Sequence, residues 1–213
     1  MSTAELETRL MRRAPIQRRS TQRVDRMLDV CARLLDEVGY EALTTKAIAE
    51  QAGISIGSVY QYFPDKRSMV RSLALRYLEE FLQRLEQRLL DPPLRTWRQL
   101  VEGMLVVYAE MLDSTPGFRA IRIGPAHDPF IMQPDMDNAT VITAGARARF
   151  NDAFELPDGP DTDRVLVVAL TMGDALVQLA YRNDPGGDPA VLAELTKVVT
   201  AYLDRELPGG AES

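Results

Sequence analysis

The sequence predicts an all-α fold. Apolar residues recur at spacings of three and four along most of the 213-residue chain. No alternating strand pattern with turn chemistry competes, and there are no internal repeats. Proline, glycine and aspartate gather in short breaks, at Asp91-Pro92-Pro93, between Phe154 and Asp163, and at Asp184–Asp188.

The first helix is predicted over Thr21–Val38, where Val24, Met27, Leu28, Cys31, Leu35 and Val38 form one stripe that ends at Gly39. Cys31 lies on that stripe and reads as a small buried hydrophobe. Thr45–Ala52 forms a second helix, with Ile48, Ala49 and Ala52 as its apolar side. Gly53 stands where a helix C-cap wants a residue tolerant of a left-handed backbone. Ser55 then caps a third helix, Ser55–Tyr62, in which Val59 and Phe63 recur at i and i+4. Pro64 breaks the chain, Asp65 can cap, and a long fourth helix keeps Met69, Val70, Leu73, Tyr77, Leu82, Leu85 and Leu89 on one face. At 1.5 Å per residue it spans about 35 Å, enough to link a small head to a second domain.

After Pro93, Thr96–Leu112 is amphipathic, and Pro116 opens a shorter helical segment that ends near Gly124. Pro125–Asp137 reads as irregular. Asn138–Phe154, Asp163–Arg182 and Pro189–Leu207 complete the helices. The expected organisation is a flexible basic arm (1–20), a helix-turn-helix head (21–66), a connecting helix (67–90) and a ligand-binding and dimerisation domain (91–213).

Net charge is −6, which conceals an asymmetry. Arg9 through Arg26 holds seven arginines against one acid, Asp25, a local charge of +6, so the rest of the chain carries −12. A positive end beside a helix-turn-helix suits a polyanion; an exposed basic tail without a partner is the plainer alternative. The longest apolar runs are six residues, against the roughly 20 needed to cross a bilayer. The Arg-rich start lacks the apolar core of a secretory signal, so a cytoplasmic protein with no membrane partner is expected. One cysteine excludes an intramolecular disulfide and a cysteine-based metal site.

The stretch Thr44–Lys66, TTKAIAEQAGISIGSVYQYFPDK, carries the functional signal. A helix-turn-helix places its second helix in the DNA major groove. Thr45, Ser55 and Lys66 stand at helix starts, where N–H groups and a partial positive charge suit phosphate. Tyr60 and Tyr62 carry hydroxyls on rigid arms, with core packing as their alternative. Base edges fall to Ser55, Ile56, Ser58 and Gln61, with Gly57 allowing close backbone approach. Gln61 can pair with adenine, and Ile56 can touch a thymine methyl.

The run AIAEQAGISIGSVYQYFPDK resembles the DNA-binding signature of TetR-family transcriptional regulators. There a Gly-Ile/Val-Ser turn leads into an aromatic-rich recognition helix and then Phe-Pro-x-Lys. The resemblance runs from about Gln22 to the start of the helix after Lys66, roughly the first third of the chain. It implies that the threonine, tyrosines and lysine grip the DNA backbone. It also implies a homodimer in which a small-molecule effector, bound in the C-terminal domain, changes the separation of two heads. Many relatives carry a basic or polar residue at the position of Ile56, so an arginine-to-guanine contact from that site is not expected here.

In the C-terminal part, Trp97, Met104, Tyr108, Met111, Phe118, Met172 and Gln178 mix aromatic, thioether and amide groups at helical spacing. They are candidates for an effector pocket, with ordinary core as the alternative for each. Arg119, Arg122 and His127 are candidate polar anchors. Dimerisation is expected through the last two helices, with Ala169, Met172, Gly173, Leu176 and Ala180 on one and Leu192, Leu195, Val199, Tyr202 and Leu203 on the other. Two heads in adjacent major grooves put recognition helices about 34–36 Å apart on a nearly palindromic operator.

Gly53-Ile54-Ser55-Ile56-Gly57 formally matches the G-x-S-x-G elbow of serine hydrolases. That elbow needs a strand before the serine, and a helix precedes it here. No phosphate-binding glycine loop, H-E-x-x-H or ligand cluster exists, so neither cofactor, metal nor enzymatic activity is expected. Acids at a helix start account for Asp161 and Asp163. The sequence thus predicts a ligand-responsive, homodimeric DNA-binding repressor. Its alternatives are a DNA-binding protein without an effector, and an all-α small-molecule-binding protein or enzyme that binds no DNA.

Overall fold

The computed structural model describes residues 18–89, 95–123, 147, 154 and 156–207. Those residues form helices α1 (Arg18–Ala42), α2 (Thr45–Ala52), α3 (Ile56–Tyr62), α4 (Lys66–Leu89), α5 (Trp97–Ser114), α6 (Phe118–Arg122), α7 (Pro160–Tyr181) and α8 (Pro189–Glu206), with no strand among them. The irregular stretch expected at 125–137, most of the helix expected at 138–154 and most of the basic arm lie outside the described residues.

The chain divides into two compact units, Met1–Glu79 with Met111–Pro134, and Glu80–Glu110 with Asp135–Ser213. In the first, Met27, Cys31, Ile48, Val59, Phe63, Met69 and Leu73 are completely buried. α1 packs on α2, and α2 on α3. Gly39 leaves helical geometry (φ 75°, ψ 173°) where the apolar stripe predicts the end of α1. A last turn follows it, closed by the Leu43 N–H on the Gly39 and Tyr40 carbonyls.

Local chemistry decides each boundary in the head. The Thr44 hydroxyl caps α2 by accepting from the Ala47 N–H at 3.1 Å. Gly53 stops it in the left-handed region (φ 67°, ψ 36°), and the Ile54 N–H reaches back to the Ala49 carbonyl at 3.0 Å. The Ser55 hydroxyl caps α3 from the Ser58 N–H at 3.2 Å. Asp65 caps α4, accepting from the Ser68 N–H at 2.7 Å.

The end of α5 and the whole of α6 belong to the head's unit, which the sequence does not announce. α6 packs on α1. Gly117, at φ 73°, lies so close to α1 that a β-carbon there would stand 2.7 Å from the Ala32 carbonyl oxygen. Its N–H donates to the Asp36 carboxylate at 2.7 Å. The Tyr77 hydroxyl donates to the Pro116 carbonyl, and the Tyr77 ring meets Phe118 edge-on at 5.7 Å.

In the second unit α5 opens on a reciprocal cap. Thr96 Oγ1 accepts from the Gln99 N–H at 3.2 Å, while Gln99 Oε1 accepts from the Thr96 N–H at 3.1 Å. Trp97 is buried and stacks on Phe154 at 3.8 Å. α7 packs along α8, joined by a tight turn in which the Asp188 carboxylate caps α8 from the Ala190 N–H at 2.9 Å. By length and composition alone α7, with 22 residues and an 18-residue stretch of mean hydropathy 1.4, is apolar enough to cross a bilayer. The six-residue runs conceal this because Thr171, Gly173, Asp174 and Gln178 interrupt them.

Burial pushes the Cys31 thiol up to about 12, the charge of Arg76 opposing it only in part. The folded value exceeds the roughly 8.5 of an unfolded chain. The resulting stabilisation is complete below about pH 8.5 and is lost as the pH climbs toward the folded value. Iodoacetamide at pH 8 is expected to leave native Cys31 unmodified and to label it once urea unfolds the chain. Rapid labelling of the native protein contradicts the buried position.

Candidate nucleic-acid interface

The helical period of α3 sorts its side chains. Val59 and Tyr62 face inward, while Ile56, Gly57, Tyr60 and Gln61 are exposed. Exposure reaches 40% for Ile56 and 43% for Tyr60, large values for such apolar bodies. Ser58 and Thr45 are half-buried and Ser55 is exposed. Two hydroxyl pairs organise this face. Thr45 Oγ1 lies 3.2 Å from the Tyr60 hydroxyl, tying α2 to α3, and Ser55 Oγ lies 2.9 Å from Ser58 Oγ.

Between the helices is a concavity of about 350 Å³, bounded by Thr45, Lys46, Ala49 and Glu50 of α2 and by Ile54, Ile56 and Tyr60. α3 itself carries no charged side chain. A cation borders the concavity on α2, where the Lys46 ammonium stands 3.9 Å from Glu50, both side chains largely in solvent. An exposed pair of that kind holds its ammonium loosely. Lys46 is absent from the sequence-based set; a lysine beside Thr45 in the first turn of α2 was the available signal.

Two expected phosphate contacts are placed elsewhere. Tyr62 is 8% exposed, because the period that turns Tyr60 outward turns Tyr62 toward the core with Val59. The Lys66 ammonium donates to the Tyr40 and Glu41 carbonyls at 2.9 and 3.1 Å and sits over the Tyr40 ring at 4.5 Å. A cation there adds a donor to two carbonyls at the end of α1, of which that of Tyr40 also accepts from the Leu43 N–H. Lys66 is a clasp within the head. The capping role at the start of α2 belongs to Thr44, which leaves the Thr45 hydroxyl to Tyr60.

The effector candidates are divided between the two units. Trp97, Met104, Tyr108, Met172 and Gln178 belong to the second unit, and Met111, Phe118, Arg119 and Arg122 to the unit of the head. Met111 and Phe118 are buried there, Phe118 against Tyr77, while Arg119 pairs with Asp113 at 3.6 Å. His127 lies outside the described residues. Tyr108 stands 6.0 Å from Tyr181, ring to ring. On α7 and α8, Ala169, Ala180, Leu195, Val199 and Leu203 are already buried within the protomer. Met172, Gly173, Leu176, Leu192 and Tyr202 are half-buried, and the large apolar residues that stand exposed are Val168, Leu179 and Val198, at 36%, 46% and 42%.

A short helix capped by serine, packed on the head by its inner side with its outer side exposed and followed by a helical second unit, defines a helix-turn-helix regulator. Residues 27–73 match the bacterial regulatory proteins of the tetR family, and residues 95–207 match the tetracyclin repressor-like C-terminal domain. The chain is 36% identical over 188 residues to the HTH-type transcriptional repressor KstR of Rhodococcus jostii, covering 82% of this chain and 81% of that one. It is 25% identical over 184 residues to the HTH-type transcriptional regulator AlkX of Mycobacterium tuberculosis, covering 85% of each. A TetR-family transcriptional regulator from Streptomyces coelicolor superposes with a TM-score of 0.73 at 36% identity, covering 87% of this chain and 99% of that structure. The chain belongs to the TetR family of DNA-binding transcriptional regulators.

The clasp makes a separable prediction. Lys66→Met keeps the aliphatic stem and removes the ammonium, so thermal unfolding is expected to show a loss of about 1 kcal/mol. An unchanged melting temperature together with a large loss of DNA affinity would return Lys66 to the phosphate-binding set.

Proposed function

We propose that this regulator is a homodimeric repressor that binds a nearly palindromic operator and is released by a small-molecule effector. The observation that carries the DNA-binding part is the outward face of α3, where Ile56 and Tyr60 stand exposed beside two organised hydroxyl pairs. Thr45, Lys46 and Tyr60 are placed to hold phosphates, and Ser55, Ile56, Gly57, Ser58 and Gln61 to meet base edges. The repressor reading draws support from the relative whose name describes a transcriptional repressor.

Exposed Val168, Leu179 and Val198 offer the apolar face that a second protomer covers, and that face also accounts for the high hydropathy of α7. The effector reading is supported by mixed aromatic and thioether side chains at Trp97, Met104, Tyr108 and Met172. Its route to the head is α5, whose last turn and following α6 are fastened to α1 by the Asp36–Gly117 hydrogen bond and to α4 by Tyr77. An effector changes DNA affinity only by as much as it prefers one arrangement of that segment over another. We assign the chain to binding rather than catalysis, and to the cytoplasm where its DNA partner resides.

Selection from random duplexes with the full chain tests the proposal. A single nearly palindromic sequence is expected, bound with an affinity that falls steeply with salt. Tyr60→Ala is expected to weaken that complex by about 10-fold, equivalent to about 1.4 kcal/mol, with little change in melting temperature. Absence of any enriched sequence at 50 mM salt contradicts the reading.

A further inference from the structure

We propose that the concavity between α2 and α3 reads the C5-methyl group of thymine, with Ile56 as the residue that sets the specificity. The proposal rests on the DNA-binding reading above and names the chemistry it recognises. On the major-groove edge of a base pair the thymine methyl is the one apolar group larger than a hydrogen atom. A reader of that group needs an exposed apolar surface at the start of the recognition helix.

That requirement has a residue. Ile56 opens α3 and leaves 40% of its surface in solvent. Ala49, Ile54 and Tyr60 line the same concavity as its other apolar residues, with Thr45, Lys46 and Glu50 as the polar ones. No residue from Ile56 to Tyr62 is charged, so the two-pronged bond from arginine to guanine is unavailable from this helix. The hydroxyls at the edge already have partners. Ser55 Oγ accepts from the Ser58 N–H at 3.2 Å and lies 2.9 Å from Ser58 Oγ, and Thr45 is bonded to Tyr60. Exposed apolar surface at Ile56 and Tyr60 remains on this face beside those hydroxyls, and its complementary partner is an apolar group projecting from a polar edge.

The same methyl occurs on 5-methylcytosine, whose exocyclic amino group would find an acceptor in Glu50 at the rim. Thymine is the assigned source because contact with Ile56 needs no acceptor beside the methyl group, and the 5-methylcytosine duplex below decides between the two.

The test uses a duplex that the full chain selects from a random pool. Each thymine of one half-site is replaced singly by deoxyuridine, which removes the methyl and keeps every hydrogen-bonding group. At one or two positions affinity is expected to fall about four-fold, the factor expected for one buried methyl group. Ile56→Ala is expected to bind the thymine and uracil duplexes equally, and Ile56→Val to keep most of the discrimination, so that a misfolded alanine variant leaves a second reading. Replacing a sensitive thymine by 5-methylcytosine, with guanine opposite, is expected to bind more weakly than thymine and more tightly than cytosine. Specific binding with no loss at any uracil overturns the methyl assignment and leaves the DNA-binding reading standing. Tighter binding to 5-methylcytosine than to thymine overturns thymine as the source. If no duplex is selected at all, the underlying reading fails and this one with it.

Discussion

The left-handed backbone at Gly53 decides which residues this protein shows to the outside. With φ at 67° the chain stops α2, satisfies the Ala49 carbonyl through Ile54, and starts α3 at Ser55 with a fixed rotation. A β-carbon at Gly53 meets only the Arg26 guanidinium at an ordinary 3.7 Å, so the demand for glycine comes from the backbone and not from crowding. Ser55 then locks the rotation through its cap, and Val59 anchors the inner side with no exposed surface. Given those three residues, the geometry of a helix turns Ile56, Tyr60 and Gln61 outward and Tyr62 inward.

The second constraint is the close approach at Gly117. Here glycine is required twice, by its positive φ and by the Ala32 carbonyl that a side chain would strike. Asp36 completes the junction by accepting from the Gly117 N–H, and Tyr77 adds a hydrogen bond to Pro116 and an edge contact with Phe118. The junction joins α1 and α4 of the head to a segment that continues directly from α5. Burial holds the Tyr77 phenol above its ordinary range, more than nearby Arg76 can offset, which keeps it a hydrogen-bond donor throughout the physiological range.

Much of this was legible in the sequence. The all-α class follows from periodicity, and the head from Gly53, Ser55, Pro64 and Asp65, whose local chemistry needs no distant partner. The illegible parts share one physical cause. The burial of Tyr62 depends on a rotation that single-residue spacing leaves ambiguous in a seven-residue helix. Lys66 is a clasp only because folding brings the Tyr40 and Glu41 carbonyls, 25 or more positions away, beneath its ammonium. Phe118 reads from the sequence as a pocket candidate, and only folding sets its ring edge-on against Tyr77, 41 positions away. On α7 and α8 the apolar residues outnumber what one face can hold, so periodicity alone could not say that Ala169 and Leu195 face inward while Leu179 and Val198 face out.

The central claim is that the outward side of α3, with the adjoining start of α2, meets the DNA duplex. Amide hydrogen exchange on the full chain, with and without a selected duplex, tests it most directly. Slowed exchange concentrated over Thr45–Lys46 and Ser55–Gln61 is the expected result. A bound complex that leaves those amides unchanged, with protection confined to another surface, would contradict the account.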